Sequence, residues 1–434
     1  MADLRPFRAL RYRVGPGDTV GRVLAPPYDV ISPQQQAALY DLSPYNVVRL
    51  EHPRETGEAR YRAAAETLAQ WRREGVLMPD ERPALYVYEQ EFAHGGQTYR
   101  RRAVFGRVRL EPFETGLIRP HEYTMAKPKE DRLALLRATR ANISPIFGLV
   151  DDRGGGFARA LADVPGRPAL DAVDFAEQRH RLSVVDDPAA IARLAAAVAD
   201  TVIYIADGHH RYETALAYRE ERRQATGPAW SADDPANFVL MALTATTDPG
   251  LLILPIHRLV RPRTRPADLV AALGDAFTVE EMGVLDSGAA CAALIRAMEA
   301  RRADTAFGAA GLAPGRLHLL TLRDRATVEA HMPVGHAPAW RALDVNVLQY
   351  GVLEPLLGID AATLTAGEHV EFTEDAGEAL AAVRSGRVPL AFLVNATRVE
   401  QIVAVADAGD RMPQKSTYFY PKLGTGLVIN CLDC

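Results

Sequence analysis

The residues with the most chemistry in them stand together at Asp207-Gly208-His209-His210-Arg211. The run 201–206 ahead of them is β-rich, and residues 212–223 carry the apolar repeat of an amphipathic helix. A strand therefore hands the chain to a glycine that can turn tightly, and the next residues open a helix. The N–H groups of that first turn, aligned with the helix dipole, attract anions. His209 and His210 add donors suited to phosphate oxygens, and Arg211 can hold two such oxygens at once. Asp207 at the strand end suits a Mg²⁺ that bridges phosphates. A rival chemistry uses Asp207, His209 and His210 as ligands of a transition metal. Adjacent histidines rarely aim at one ion, so the anion site ranks first.

Three more segments hold reactive types at short spacing. His121-Glu122-Tyr123-Thr124, followed by Lys127, Lys129, Glu130, Asp131 and Arg132, offers a general base, a hydroxyl and several cations within a dozen residues. A charge run of this kind is more often a solvated loop, but the mixture of His, Thr and Lys between a strand and a helix favours function. Met412-Pro413-Gln414-Lys415-Ser416-Thr417, then Pro421-Lys422-Leu423-Gly424, could supply a second phosphate contact, although the glycine pattern of a P-loop is missing. Ala25-Pro26-Pro27-Tyr28-Asp29 reads first as a rigid turn into a helix capped by Ser32 with Pro33 at its first position. Asp29 is a candidate base or metal ligand within that turn.

The elements that must position these groups alternate between strand and helix. Apolar residues at Tyr61, Ala65, Leu68 and Trp71 predict a helix that Gly75 ends, and residues 84–91 and 98–110 predict two strands around His94-Gly95-Gly96. A strand is expected at 146–150, a loop at Gly154-Gly155-Gly156, and a helix from Asp187-Pro188 with the aspartate as its cap. Further on, 237–243, 251–255 and 390–394 read as strands, and 344–357 and 376–384 as helices. The fold class is α/β, of the mixed α+β kind. The chain divides into an N-terminal part, 1–235, holding the Asp207–Arg211 turn, and a C-terminal α/β part, 236–434, contributing Lys415 and Lys422.

Composition narrows the function classes. With 48% hydrophobic and 24% charged residues over 434 positions, the chain is composed as a globular protein of more than one domain. A net charge of −5 and the absence of a basic block argue against nucleic acid as a partner. No run of about eighteen apolar residues occurs, so no membrane span is expected. The N-terminus lacks the pattern of a signal peptide, which predicts the cytoplasm. Cys431 and Cys434 form a terminal C-x-x-C, but no further ligands stand at a matching spacing, so a frayed tail explains them better than a metal or redox pair.

Taken in order, segments 25–32, 119–132, 205–211, 343–348 and 412–427 resemble the proteins grouped as domain of unknown function 1015, from Pro6 to Ile429. Gly208-His209-His210-Arg211 also looks like the G-x-H-R turn of the ParB/sulfiredoxin-like fold, whose members include sulfiredoxins, CTP-binding partition proteins and free-serine kinases. His209 stands where sulfiredoxin carries its reactive cysteine, which argues against that reductase chemistry. The resemblance implies a ParB/sulfiredoxin-like core and a nucleotide-dependent phosphotransferase acting on a small hydroxyl compound, with free serine as the family-based choice. It implies ATP or ADP as donor and Mg²⁺ at Asp207. On this reading Glu122, Asp207 and His209 are catalytic. Gly208, His209, His210, Arg211, His121, Thr124, Lys129, Arg132, Lys415, Ser416 and Lys422 contact nucleotide and phosphate. The alternatives are a phosphatase of a small phosphomonoester such as phosphoserine, and a ParB-like nucleotide-sensing regulator without turnover. Oligomeric state is left open, a homo-oligomer included.

Overall fold

The computed structural model describes residues 1–13 and 20–433. Two compact units emerge. The first comprises Met1–Pro120, Thr124–Leu252 and Pro421–Cys434, and the second His121–Tyr123 and Ile253–Tyr420.

The first unit is built on a mixed sheet of nine strands among the described residues. From one edge the order is Ile118–Pro120, Ile203–Asp207, Ile146–Val150, Phe238–Ala245, Gln97–Arg109, Leu85–His94, Arg179–Val185 and Arg167–Val173, with Leu4–Arg5 added beside Gln97–Arg109. Phe238–Ala245 is buried along its whole length, which a strand covered on both faces requires. It pairs parallel with Ile146–Val150 and antiparallel with Gln97–Arg109. Helices Gly156–Ala162, Pro188–Ala199 and His209–Thr226 supply Phe157, Leu194 and Tyr212 to the core under these strands. A second apolar cluster joins helices Pro33–Leu42 and Glu58–Arg73 through Leu39, Leu68 and Trp71.

The local signals operate as their chemistry demands. Ser32 and Gln35 form a capping box, and the Asp187 side chain accepts from the Ala190 N–H. Gly95 and Gly96, at φ 57° and 77°, make the two-residue turn that joins the long hairpin strands. The glycine run at 154–156 is only partly a loop, because helix Gly156–Ala162 starts inside it once Asp152 accepts from the Phe157 and Ala158 N–H groups. The expected helix 344–357 is a chain of α-helix Asp344–Leu348, a π-turn over Gln349–Leu353 and α-helix Glu354–Leu357.

The division between units differs from the expected one at 235. Phe238–Ala245 is the centre of the first sheet and cannot be separated from it, so the chain leaves the first unit at Leu252. The last residues then return. Ile429 pairs with Leu10, Thr425 with Ala25, and Asn430–Cys431 with Ala141–Asn142. Lys422 thus belongs to the first unit, while Lys415 stays in the second. Cys431 is buried in that closing strand, and Cys434 lies outside the described residues.

The second unit is an antiparallel sheet in the order Phe277–Val284, Arg316–Leu322, Ala306–Ala310, Leu390–Leu393, His257–Val260 and Val370–Thr373. Helices Gly288–Ala300 and Ala376–Arg384 bury Leu294, Met298 and Leu380 against it. Among the described residues, no helix is long and apolar enough to cross a membrane.

His257 lies inside this unit, where its Nδ1 accepts the Val394 N–H at 3.2 Å. Burial, with Arg258 beside it, pushes the imidazole down to about 4. The folded state therefore holds His257 neutral, and the unfolded chain takes up a proton first as pH falls below 6.5. The stabilisation is complete above that pH and shrinks on the way to about 4, amounting to a loss of about 2 kcal/mol at pH 5. Urea unfolding at pH 7 and pH 5 should register that extra loss in the wild type and not in His257→Gln.

Candidate functional site

Strand Ile203–Asp207 is buried from Ile203 to Ala206, held between Ile118–Pro120 and Ile146–Val150, and it delivers Asp207 to the sheet's end. Gly208 follows at φ 93°, in the left-handed region, and the eighteen-residue helix His209–Thr226 begins at once. The Tyr212 N–H takes the Gly208 carbonyl at 3.0 Å as the first helical bond. The amides of His209, His210 and Arg211 precede that ladder and have no carbonyl within the helix to bond.

The turn is fixed from below by charge. One Asp207 oxygen accepts from Arg211 Nη2 at 2.6 Å, the other accepts from Lys422 Nζ, and Arg211 Nη1 donates to the Pro145 carbonyl. Burial alone would raise the Asp207 carboxyl, but Lys422 and Arg211 outweigh it and hold the group well below the usual carboxylate range. The guanidinium of Arg211 lies flat beneath the glycine. A Cβ at Gly208 would meet Arg211 Nε at 3.0 Å and Cζ at 3.1 Å, so the φ angle calls for glycine and the crowding by Arg211 adds to that preference. Arg211 is therefore committed to holding the turn, not extended as the bidentate phosphate clamp the sequence suggests.

The two histidines divide. His209 is buried and lends its charge to Asp207's surroundings. His210 Nε2 accepts the Met125 N–H at 2.9 Å, which requires that nitrogen to be unprotonated. Burial lowers its pKa in the same sense. His210 thus serves the start of helix Ala126–Thr139 as a neutral imidazole, and only Nδ1 is left to donate.

Around the helix start, Thr124 Oγ1 and Lys129 Nζ both donate to Glu213 Oε2, at 2.8 and 2.9 Å. Lys129 is half-exposed. Arg132 does not face a ligand. It is buried, donates to Asp131 Oδ2 at 2.8 Å and to the Glu51 carbonyl at 3.0 Å, and stacks over the Tyr28 ring at 4.0 Å. Tyr28 is pushed up to about 12 by burial and by Asp29. Asp29 itself is exposed, its charge is felt by His210 and Arg211, and its carboxylate accepts no hydrogen bond among the described residues. The Pro-Pro-Tyr-Asp turn, legible first as a rigid bend, thereby brings an open carboxylate to the helix start.

Mg²⁺ at Asp207 does not fit this geometry, because both carboxylate oxygens are already taken by cations. Among the described residues no group of three His, Cys, Asp or Glu could hold a metal ion, which also removes the rival reading of Asp207, His209 and His210 as ligands.

The remaining expected residues gather in the second unit. Glu122 bridges Met412 in parallel, and its Oε1 accepts the Lys415 N–H at 3.4 Å. His121, buried, lies 3.0 Å from Thr417 Oγ1, and Ser416 Oγ donates to the Pro413 carbonyl at 2.6 Å. Lys415 is exposed at φ 61°, and its carbonyl accepts from buried Arg258 at 3.1 Å. A lysine in the left-handed region is strained, and such strain collects at functional positions.

The fold is a mixed α/β architecture with a glycine turn and a helix start at the end of a sheet strand. The chain belongs to the family described as protein of unknown function (DUF1015), whose model matches residues 4–346. Curated proteins give no sequence match. Solved structures with some likeness include a free serine kinase variant in complex with AMP, at 13% identity over 73% of this chain and 86% of that one, TM-score 0.34. A conserved hypothetical protein from Pyrococcus furiosus matches at 14% identity over 76% and 96%, TM-score 0.33. SbnI with a C-terminal truncation, from Staphylococcus aureus, matches at 11% over 76% and 89%, TM-score 0.34.

Removing one partner from a buried ion pair leaves an uncompensated charge, at a cost of about 3–5 kcal/mol. Lys422→Met leaves Asp207 paired with Arg211 alone and should therefore destabilise the first unit by less than that full cost. Adding Asp207→Asn should return about 1 kcal/mol or more of the loss, a coupling that a double-mutant cycle of urea unfolding would read. Simple additivity of the two changes would refute the pairing.

Proposed function

We propose that the Gly208–Arg211 helix start binds the phosphates of a nucleotide and that the protein transfers a phosphoryl group to a small hydroxyl compound. The observation that carries this reading is the set of three amides at the start of an eighteen-residue helix, on a glycine turn pinned by Asp207, Arg211 and Lys422. Amides fixed in this way need no reorganisation to meet an anion, which is what stabilisation of a transferring phosphoryl group requires. His210 Nδ1 and Lys129 add donors from the sides. The ParB/sulfiredoxin-like resemblance of the turn makes ATP or ADP the first donors to test and free serine the first acceptor.

In the transfer step the acceptor hydroxyl oxygen attacks the terminal phosphorus, the bond from that phosphorus to the bridging oxygen breaks, and the hydroxyl proton goes to a carboxylate. Asp29 is the candidate within the first unit, and Glu122, in the second unit, is the one the sequence offers. Asp29 is favoured by its exposure and its charge coupling to His210 and Arg211. Glu122 is already engaged by the Lys415 amide.

Calorimetric titration with ATP, ADP and CTP, each with Mg²⁺, tests the binding half. Arg211→Ala should weaken binding by about tenfold or more by releasing the turn, with circular dichroism as a check on folding, and Lys129→Gln should weaken it by a few-fold. Asp29→Asn should spare binding and lower turnover by about 10² or more, while Glu122→Gln leaves turnover within a few-fold. The reverse pattern would move the base to Glu122. No binding of any nucleotide would remove the kinase reading, and phosphate release from phosphoserine without nucleotide would replace it with the phosphatase.

A further inference from the structure

Strands Leu10–Tyr12 and Leu77–Pro79 pair into a short ribbon beside the large sheet of the first unit. Side chains alternate along a strand, so Arg11 stands on the ribbon's outer face while Tyr12 is buried in the apolar cluster behind it. Arg13 follows just beyond the strand. Together with Arg167 and Asp186, which flank the two last strands of the sheet, these residues line a cleft of about 510 Å³. Sites for metabolites span roughly 300–1,000 Å³, so the cleft has room for one.

Its floor is a fixed ion pair. Arg11 holds both oxygens of Asp80, Nε to Oδ2 at 2.8 Å and Nη2 to Oδ1 at 2.5 Å. Tyr86 donates to the same Oδ2 at 2.7 Å. In the sheet register Tyr86 stands opposite Val184, and Val184 opposite Arg167, so the ribbon side of the cleft is tied to the sheet side.

The rim carries charges that this pair leaves over. Arg13, Arg82 and Arg167 line the cleft, are exposed, and have no side-chain acceptor among the described residues. Glu81 and Asp186 line it too, and their carboxylates accept no hydrogen bond among the described residues. Three free cations and two free carboxylates suit a ligand that is an oxyanion at one end and a hydrogen-bond donor at the other. Tyr12, the aromatic residue of the wall, is buried and packs on Trp71, so it offers no ring face to a nucleotide base.

We propose that this cleft binds a phosphomonoester whose organic part carries hydroxyl or amino donors. Arg13, Arg82 and Arg167 take the phosphate, and Glu81 and Asp186 take the donors. None of these residues belongs to the Gly208 turn, so the site stands independently of the nucleotide reading.

Glucosamine 6-phosphate is the probe, because it joins a phosphate to hydroxyls and an ammonium. Calorimetric titration of the full chain should find one saturable site. Arg82→Ala/Arg167→Ala, with both changes at exposed positions, should weaken it about tenfold or more. Glu81→Gln/Asp186→Asn should weaken the probe about threefold or more and leave inorganic phosphate at least as tight, since carboxylates hold the donors and repel the ion. Arg211→Ala should leave the probe's affinity unchanged. Absence of a saturable site, or an affinity that the arginine variant does not alter, would overturn the proposal, whether or not nucleotides bind at Gly208. So would inorganic phosphate binding as tightly as the probe. Loss of the probe in Arg211→Ala alone would put it at the helix start and overturn the cleft as its site.

Discussion

One buried carboxylate governs the first unit. Asp207 ends a strand whose other residues are apolar, so its charge must be balanced where it stands, and Arg211, one helical turn on, and Lys422, far along the chain, do so. Because Arg211 is drawn inward, its guanidinium crowds the space under residue 208, where φ 93° already calls for glycine. Because Lys422 is needed, the chain must come back from the second unit. Buried Arg101 meets this return by donating to the Pro421 carbonyl at 2.7 Å, and Gln90 donates to the Lys422 carbonyl at 3.2 Å. Arg101 is itself pulled down to about 10 by burial, which marks how far from water this connection is made.

The helix start gains its character from what these cations do not do. Arg211 and Lys422 are absorbed by Asp207, Arg132 by Glu51 and Asp131, and His210 is neutral. Lys129 is half-exposed and Asp29 exposed. On the proposed reading, such a surface would select the geometry of an anion more than its bare charge, because amide donors are fixed in direction while long cationic side chains are not.

The strand–turn–helix at 203–226 was legible from the sequence because every signal in it is local: a β-rich run, a glycine and a helical repeat. The caps at Ser32 and Asp187 were legible for the same reason. The inward aim of Arg211 was not, since the sequence names a side chain without giving its direction. Asp29 reaches His210 and Arg211 across some 180 positions, through the packing of a turn whose prolines announce only rigidity. The unit boundary was misplaced because a wholly buried strand such as Phe238–Ala245 carries no mark of which sheet it completes, and Lys415 and Lys422, seven residues apart, fall in different units.

The closing pairings of Leu10 with Ile429 and of Asn430–Cys431 with Ala141–Asn142 have a consequence for biosynthesis. A ribosome releases the second unit, Ile253–Tyr420, before it releases the residues that complete the first. The later-made body can therefore fold while the earlier-made one still waits for its last strand and for the lysine that neutralises Asp207. A message that stops before codon 422 lacks the lysine that pairs with Asp207, so the turn is then held by Arg211 alone.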